Sequence, residues 1–261
     1  MSGSALLHPL ERLGRSGLDG VTAVGRFGVF LGQALFWLMV PPFRLEQLVR
    51  RISFIGVRSL SVILLTGLFT GMVLGLQGVI MLRRVGSEAF VGPAVAISLI
   101  RELGPVLAAL MVTGRAGSAL AAEIGVMRIT EQIDALTVMA LNPMRYLVVP
   151  ILVAGVITFP LLGWIFDVVG IFGGYAIAGG LFGVSSGTYF GQIQTFLSTT
   201  DIWVGSWKSL AFGLLVTWVA TYKGYYVGHG AEGVGRATTE SVVLASVLIL
   251  VLDYFMGAVL P

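Results

Sequence analysis

The sequence predicts an all-α membrane protein: five transmembrane helices, N-terminal interfacial helices and one further helix on the cytoplasmic side. Three observations predict it. Of the 261 residues, 56% are hydrophobic and only 11% are charged, whereas a soluble domain carries about 25% charged residues; the mean hydropathy is +0.95. Five separate stretches approach the roughly 20 apolar residues that a helix needs to cross a hydrocarbon core about 30 Å thick. Glycine is abundant, 36 of 261, about twice its usual share of roughly 7%, which suits helices that pack closely in a membrane.

Residues 1–45 read as amphipathic helices lying on the membrane surface. Val21 to Val40 is apolar enough for a span, but Arg12 and Arg15 precede it and Arg44, Arg50, Arg51 and Arg58 follow it. Positive charge on both flanks keeps both ends on the cytoplasmic side, and Pro41-Pro42 ends such a helix sharply. The transmembrane domain, residues 46–261, opens with an uncharged span from Ser59 to Leu82. The second span, Val85 to Thr113, carries Glu88 near its start and Arg101-Glu102 near its middle. The third begins at Tyr146, meets Asp167 and runs on to Phe182, as one long helix or as a helix with a re-entrant piece. The fourth, Ile202 to Tyr222, contains Lys208, and the fifth, Ser241 to Leu260, contains Asp253.

The charges orient the spans. Twelve of the 16 Lys and Arg lie in the N-terminal region, in the loop 114–145 and at Lys223 and Arg236, against Arg83 and Arg84 on the other side. A cytoplasmic N-terminus satisfies the positive-inside rule and puts Pro261 outside, together with a loop over 183–201 that has no Lys or Arg. The apolar run after the basic start has no small-residue cleavage site, so no cleavable signal peptide is expected.

Several classes of chemistry drop out. Sixteen basic against 13 acidic residues, scattered along the chain, make no nucleic-acid footprint despite a pI near 9.4. With no Cys there is no disulfide framework or thiolate nucleophile, and two isolated histidines, His8 and His229, make a poor metal site. The only lysines, Lys208 and Lys223, follow no phosphate-cradling glycine loop. No cofactor is expected in this chain, and energised transport would take its energy from a partner or an ion gradient.

Three features carry chemistry. In the loop 114–145, Glu123, Arg128, Glu131 and Asp134 alternate with Ile124, Met127, Ile133, Leu136 and Met139 at helical spacing. This is either a solvated helix packing on the bundle or a coupling helix docking into a groove on a separate ATPase. A charge at the bilayer centre costs about 2.5–3.5 kcal/mol even on the lenient scale, so Arg101, Glu102, Lys208 and Asp253 need partners. Adjacent residues diverge by about 100° on a helix, so Arg101 and Glu102 reach toward other helices, Lys208 and Asp253 among them. Pro105 cannot donate to the carbonyl of Arg101, and with Gly104 it kinks the helix there. The four charges form either a network that only fixes helix register or a polar spot for a substrate headgroup. Gly67, Gly71 and Gly75 repeat at every fourth position, giving either tight helix packing or a smooth wall along an apolar path.

The stretches GMVLGLQG (71–78), RELGPVLAALMVTGRAGSALAAEIGVMRITEQIDAL (101–136), NPMRYLVVP (142–150) and GRATTESVV (235–243) resemble the MlaE-type permease, the membrane subunit of the ABC transporter for maintenance of lipid asymmetry, in the wider group of permeases that work with MCE-domain proteins. The resemblance runs from about residue 45 to the end. It implies a homodimer in the bacterial inner membrane, moving phospholipid between that membrane and a hexameric periplasmic MCE-domain protein. Cytoplasmic ATPase subunits, each with a STAS-domain protein, would use the ATP. Carried over by motif, the lipid-facing wall comprises Leu74, Met81, Leu82, Val85 and Leu103, with Arg101 at the headgroup. The coupling residues are Glu123, Ile124, Gly125, Met127, Arg128, Glu131, Gln132 and Asp134, and Arg101, Glu102, Lys208, Arg236 and Asp253 match the family's polar positions. Val85 stands where a bulkier lining residue is expected, and Arg83-Arg84 is an unusual basic pair.

Two rivals belong to other classes. A gradient-driven secondary transporter would use Arg101, Glu102, Lys208 and Asp253 as an ion relay without an ATPase. A membrane scaffold would anchor a periplasmic lipid-binding protein and move nothing. A lipid-processing enzyme lacks a nucleophile–base set.

Overall fold

The computed structural model describes residues 4–39, 45–228 and 230–259, with side chains at Leu18, Val21 and Thr22 and from Val24 onward. The expectations concerning Pro41-Pro42, Arg44, His229, Pro261 and the side chains of His8, Arg12 and Arg15 fall outside these residues. Among the described residues the fold is all-helical, without a strand. Five helical runs are long and apolar enough to cross a bilayer: Leu45–Arg83, Glu88–Ile129, Met144–Gly180, Thr199–Tyr225 and Gly230–Val259. The chain is a multi-pass membrane protein.

The stretch read as interfacial amphipathic helices holds one continuous helix, α1 (Ser4–Leu38). Its second half packs Phe30 and Ala34 against Met144, Val148 and Leu152. Phe27 stacks on Trp218 at 3.8 Å and meets Tyr222 edge-on. These aromatic pairs tie α1 to the end of the bundle from which the chain enters span three.

The first span is entered through α2 (Leu45–Ile55), which bends at Gly56 into α3 (Leu60–Arg83). The bend leaves carbonyls at the end of α2 without helical donors. Arg115 supplies them: its guanidinium donates to the carbonyls of Phe54 (2.5 Å) and Ile55 (3.3 Å) and to Ser59 Oγ (2.8 Å). A residue expected in a cytoplasmic loop thus sits inside span two, its charge met by backbone oxygens.

That placement corrects the end of span two, expected at Thr113. The helix continues as α4 (Val91–Ser98), α5 (Gly104–Val112) and α6 (Ser118–Ile129), joined by π-helical turns at Leu99–Leu103 and Thr113–Gly117. The 42 residues of this run rise about 63 Å, twice the hydrocarbon core, so the run projects well beyond the membrane. Small residues allow it: Gly224 lies so near that an added Cβ would stand 2.7 Å from the Ala121 carbonyl oxygen. The expected single amphipathic helix is broken at Glu131, which adopts φ 58°, before the short α7 (Gln132–Val138).

Span three resolves the alternative posed by Asp167. It is one helix, α8 (Val149–Gly180), entered by a π-helical turn at Met144–Val148, and Asp167 is buried within it. The stretch 183–201, expected to be a loop, contains α9 (Ser186–Phe196), capped where Ser185 Oγ accepts the Thr188 N–H at 3.1 Å. Tyr189 anchors α9: the phenol is buried and donates to the Ile171 carbonyl at 3.2 Å. Burial pushes that phenol above its ordinary range. The last two spans are α10 (Thr199–Tyr225) and α11 (Gly230–Val259).

At the centre α8 packs on α3 and α10, and α10 packs in turn on α6 and α11. Only 11% of the most apolar stretch of span five and 28% of that of span one is buried, against 50–56% in the other three. The faces of α3 and α11 are therefore the surfaces this subunit offers to lipid or to another chain.

A buried ion cluster, a glycine seam and an exposed tip

The π-helical turn Leu99–Leu103 lies where Pro105 brings no N–H to the preceding turn, while the Gly104 N–H donates to the Leu99 carbonyl. Arg101 and Glu102, adjacent within it, point to different neighbours. A Cβ on Gly205 of α10 would lie 2.1 Å from the Ile100 carbonyl oxygen, so α10 seats directly on the bulge. One turn further along α10, Lys208 is fully buried. Its Nζ stands 2.5 Å from Glu102 Oε2 and 2.9 Å from Asp253 Oδ1. Two carboxylates from two other helices share one ammonium. Glu102 and Asp253 also line an open cleft of about 460 Å³ with Leu250, Tyr254 and Gly257, so the cluster is open on one side.

Arg101 does not join these three. Its Nη1 pairs with Asp201 Oδ1 at 3.1 Å, and Asp201 also accepts the N–H and the hydroxyl of Ser198 at 2.9 Å each. Asp201 was not singled out from the sequence, although Ser198-Thr-Thr-Asp201 matches the capping pattern of a helix start. Asp201 thus completes the capping box of α10, whose N-cap is Ser198, and orients Arg101 at the same time. Replacing Asp201 by Ala is expected to lower stability by about 1–2 kcal/mol through the lost cap, read as a lower melting temperature in detergent. Unchanged melting would show that the cap carries no load.

Of the expected lipid-facing wall, Leu74, Leu82 and Leu103 pack partly buried against the core. Met81 and Val85 protrude at the end of α3, 73% and 71% exposed. Of the basic pair, Arg83 is held by Glu88 at 2.8 Å and lies over the Phe182 ring. Gly67, Gly71 and Gly75 face α8 and form a packing seam, not an open wall. A Cβ on Gly71 would come 1.8 Å from the Gly170 carbonyl oxygen, and one on Gly75 2.6 Å from that of Gly174.

The expected coupling residues divide by exposure. Ile124 and Gly125 are buried in the bundle, and Glu123 pairs with Arg51 at 2.8 Å. Met127 is half-buried. Arg128 bonds Asp134 at 2.7 Å and lies over the Tyr225 ring. Glu131, Gln132 and Asp134 are exposed around the break, beside exposed Val126, Val138 and Met139. Of these three apolar residues only Met139 stood in the helical pattern of the sequence. Val126 faces outward from α6 and Val138 from the end of α7, beyond the break at Glu131 that the apolar spacing does not show.

The family model described as Permease MlaE matches residues 48–259, from α2 through α11. The chain belongs to the MlaE permease family. Among its relatives is the "Intermembrane phospholipid transport system permease protein MlaE" of Haemophilus influenzae, 42% identical over 98% of both chains. A "Probable ABC transporter permease protein" of Rickettsia bellii is 40% identical over 96% of this chain and 97% of its own. A more distant one is the chloroplastic protein TRIGALACTOSYLDIACYLGLYCEROL 1 of Arabidopsis thaliana, 30% identical over 88% of this chain and 66% of its own. The MlaE family model begins at residue 48, within α2, so α1 lies outside it. The Haemophilus MlaE aligns over nearly the whole chain.

Proposed function

We propose that the chain is the permease subunit of an inner-membrane ABC transporter that moves phospholipid to or from a periplasmic MCE-domain carrier, maintaining the lipid asymmetry of the outer membrane. The likeness along nearly the full chain to the Haemophilus intermembrane phospholipid transport permease carries this reading. In it the chain works as a homodimer, with the N-terminus and the α6–α7 tip in the cytoplasm, the C-terminus in the periplasm and α1 along the inner surface. It has no ATPase site or cofactor of its own. ATP is used by a cytoplasmic subunit carrying a STAS-domain protein, and a hexameric MCE-domain protein receives or delivers lipid.

Two features of the geometry support this reading. An exposed tip with apolar Val126, Val138 and Met139 among Glu131, Gln132 and Asp134 has the composition of a docking surface: apolar anchors inside a charged rim. Arg101, half-exposed and oriented by Asp201, offers a guanidinium fork to a phosphate. The charge reversal Glu131→Lys with Asp134→Lys is expected to weaken ATPase binding at least about ten-fold, since like charges opposed across an interface cost several kcal/mol. ATP-driven lipid transfer in proteoliposomes would fall with it. Unchanged ATPase co-purification in the double variant defeats the docking assignment, and lipid transfer that needs no ATP defeats the ABC reading.

A further inference from the structure

Asp167 takes no part in the ion cluster. It stands within α8, 6% exposed, and its Oδ1 is sealed from solvent and accepts no hydrogen bond. The cations of the neighbouring π-helical turn and of α10 are committed elsewhere, Arg101 to Asp201 and Lys208 to Glu102 and Asp253. Helix α3 has no charge before Arg83, and α4, α5 and α9 have none at all. A carboxylate buried in an apolar interior without a cation is too costly to persist, and such a group holds a proton instead. A neutral carboxyl then has one O–H to donate.

The acceptor lies at the break in span two. A Cβ on Gly104 would stand 1.7 Å from Asp167 Oδ1 and 2.8 Å from the Leu99 carbonyl oxygen, so both oxygens gather over the bare Cα of Gly104. Leu99 closes the π-helical turn by accepting the Gly104 N–H. A carbonyl oxygen can accept twice, and Pro105, next in line, brings no N–H. Two acceptor oxygens side by side repel, whereas a proton on the carboxyl turns the same contact into a hydrogen bond. The sealed Oδ1 leaves no surface for a water to do this instead.

We propose that Asp167 is held as the neutral acid and donates its O–H to the Leu99 carbonyl, clamping α8 to the π-helical turn that carries Arg101 and Glu102. Asp167 is a positioning residue. It touches no cargo, and it fixes the turn from which one side chain reaches Asp201 and the next reaches Lys208. Gly104 is the complementary part, because any side chain there would push the carboxyl off the turn. The clamp is independent of the cargo and of the ATPase.

The test uses the full chain in nanodiscs, without nucleotide, with its aspartate carboxyls isotopically labelled for infrared spectroscopy. At neutral pH the spectrum should contain the carbonyl stretch of a neutral, hydrogen-bonded carboxylic acid, and Asp167→Asn should remove it. That substitution keeps a donor of the same shape, so hydrogen exchange of the amides 99–104 should match the parent. Asp167→Ala deletes the donor, and those amides should exchange about five-fold faster, the worth of one neutral hydrogen bond. Gly104→Ala leaves the acid in the chain but drives it from Leu99, so the band should lose its hydrogen-bonded position. A parent spectrum without the band, a band that survives Asp167→Asn or is untouched by Gly104→Ala, or exchange indifferent to Asp167→Ala overturns the proposal. Exchange as fast in Asp167→Asn as in Asp167→Ala overturns it too. The parent spectrum alone decides whether the proton is there, even where a variant fails to fold.

Discussion

Replacing Lys208 by Met should be the most damaging single change in this protein, lowering stability by about 3–5 kcal/mol. Lys208 is fully buried and holds Glu102 at 2.5 Å and Asp253 at 2.9 Å. Removing it leaves two carboxylates facing each other with no cation, and breaking a buried ion group from one side carries a cost of that size. The loss should appear as aggregation on extraction or as a collapse of the melting temperature. The triple replacement Glu102→Gln, Lys208→Met, Asp253→Asn separates two roles. Neutralising every member removes the uncompensated charge, so folding should return close to normal. A cluster that only sets helix register leaves transport intact in the folded triple variant, and a cluster that serves the lipid path does not. A Lys208→Met protein as stable as the parent would show that the ammonium does not hold the three helices together.

Gly71→Leu should come next. Its Cβ alone would stand 1.8 Å from the Gly170 carbonyl oxygen, which is backbone and cannot turn aside. Ordinary contact is about 3.4 Å at least, so α3 and α8 must separate by roughly 1.6 Å along their whole seam. Overpacking usually costs about 1–3 kcal/mol. Here the upper end or beyond is expected, because close backbone approach is what holds membrane helices together. Gly78→Ala provides the control: its Cβ would meet only Val91 Cγ1, at 3.5 Å, and melting should scarcely change. Equal effects from the two substitutions would mean that the seam is not the source of α3–α8 cohesion.

The sequence announces spans better than it announces their ends. Five apolar runs are visible because each needs about 20 residues without much charge, and that requirement is coarse. The helix of span two outlasts its apolar run because Gly114, Ala116, Gly117 and Ser118 are small, and because Arg115 is neutralised by carbonyls far away in the chain. Hydropathy registers the charge and not its distant partner. The same blindness conceals Asp201, whose significance lies in Arg101, a hundred residues earlier. Helix α9 escapes notice because it is short and uncharged, and its N-cap, Ser185, is an ordinary loop residue by type. In the glycine repeat both readings of Gly67, Gly71 and Gly75 fit the spacing equally, and only the position of α8 decides between them. Lys208, Glu102 and Asp253 were legible as a group because each is too expensive to stand alone in a membrane. That Arg101 leaves this group was not, because its partner Asp201 lies a hundred residues on and was not singled out.

The run from Glu88 to Ile129 has a mechanical consequence. From Leu103 to Ile129 it measures about 39 Å along its axis, and its backbone stays helical throughout, so push or tilt travels along it as through a stiff rod. Arg115 pins that rod near its middle to the corner of α2. A rod pinned at mid-length works as a lever: displacement of the tip at Glu131 in one direction moves the Arg101–Glu102 end in the other.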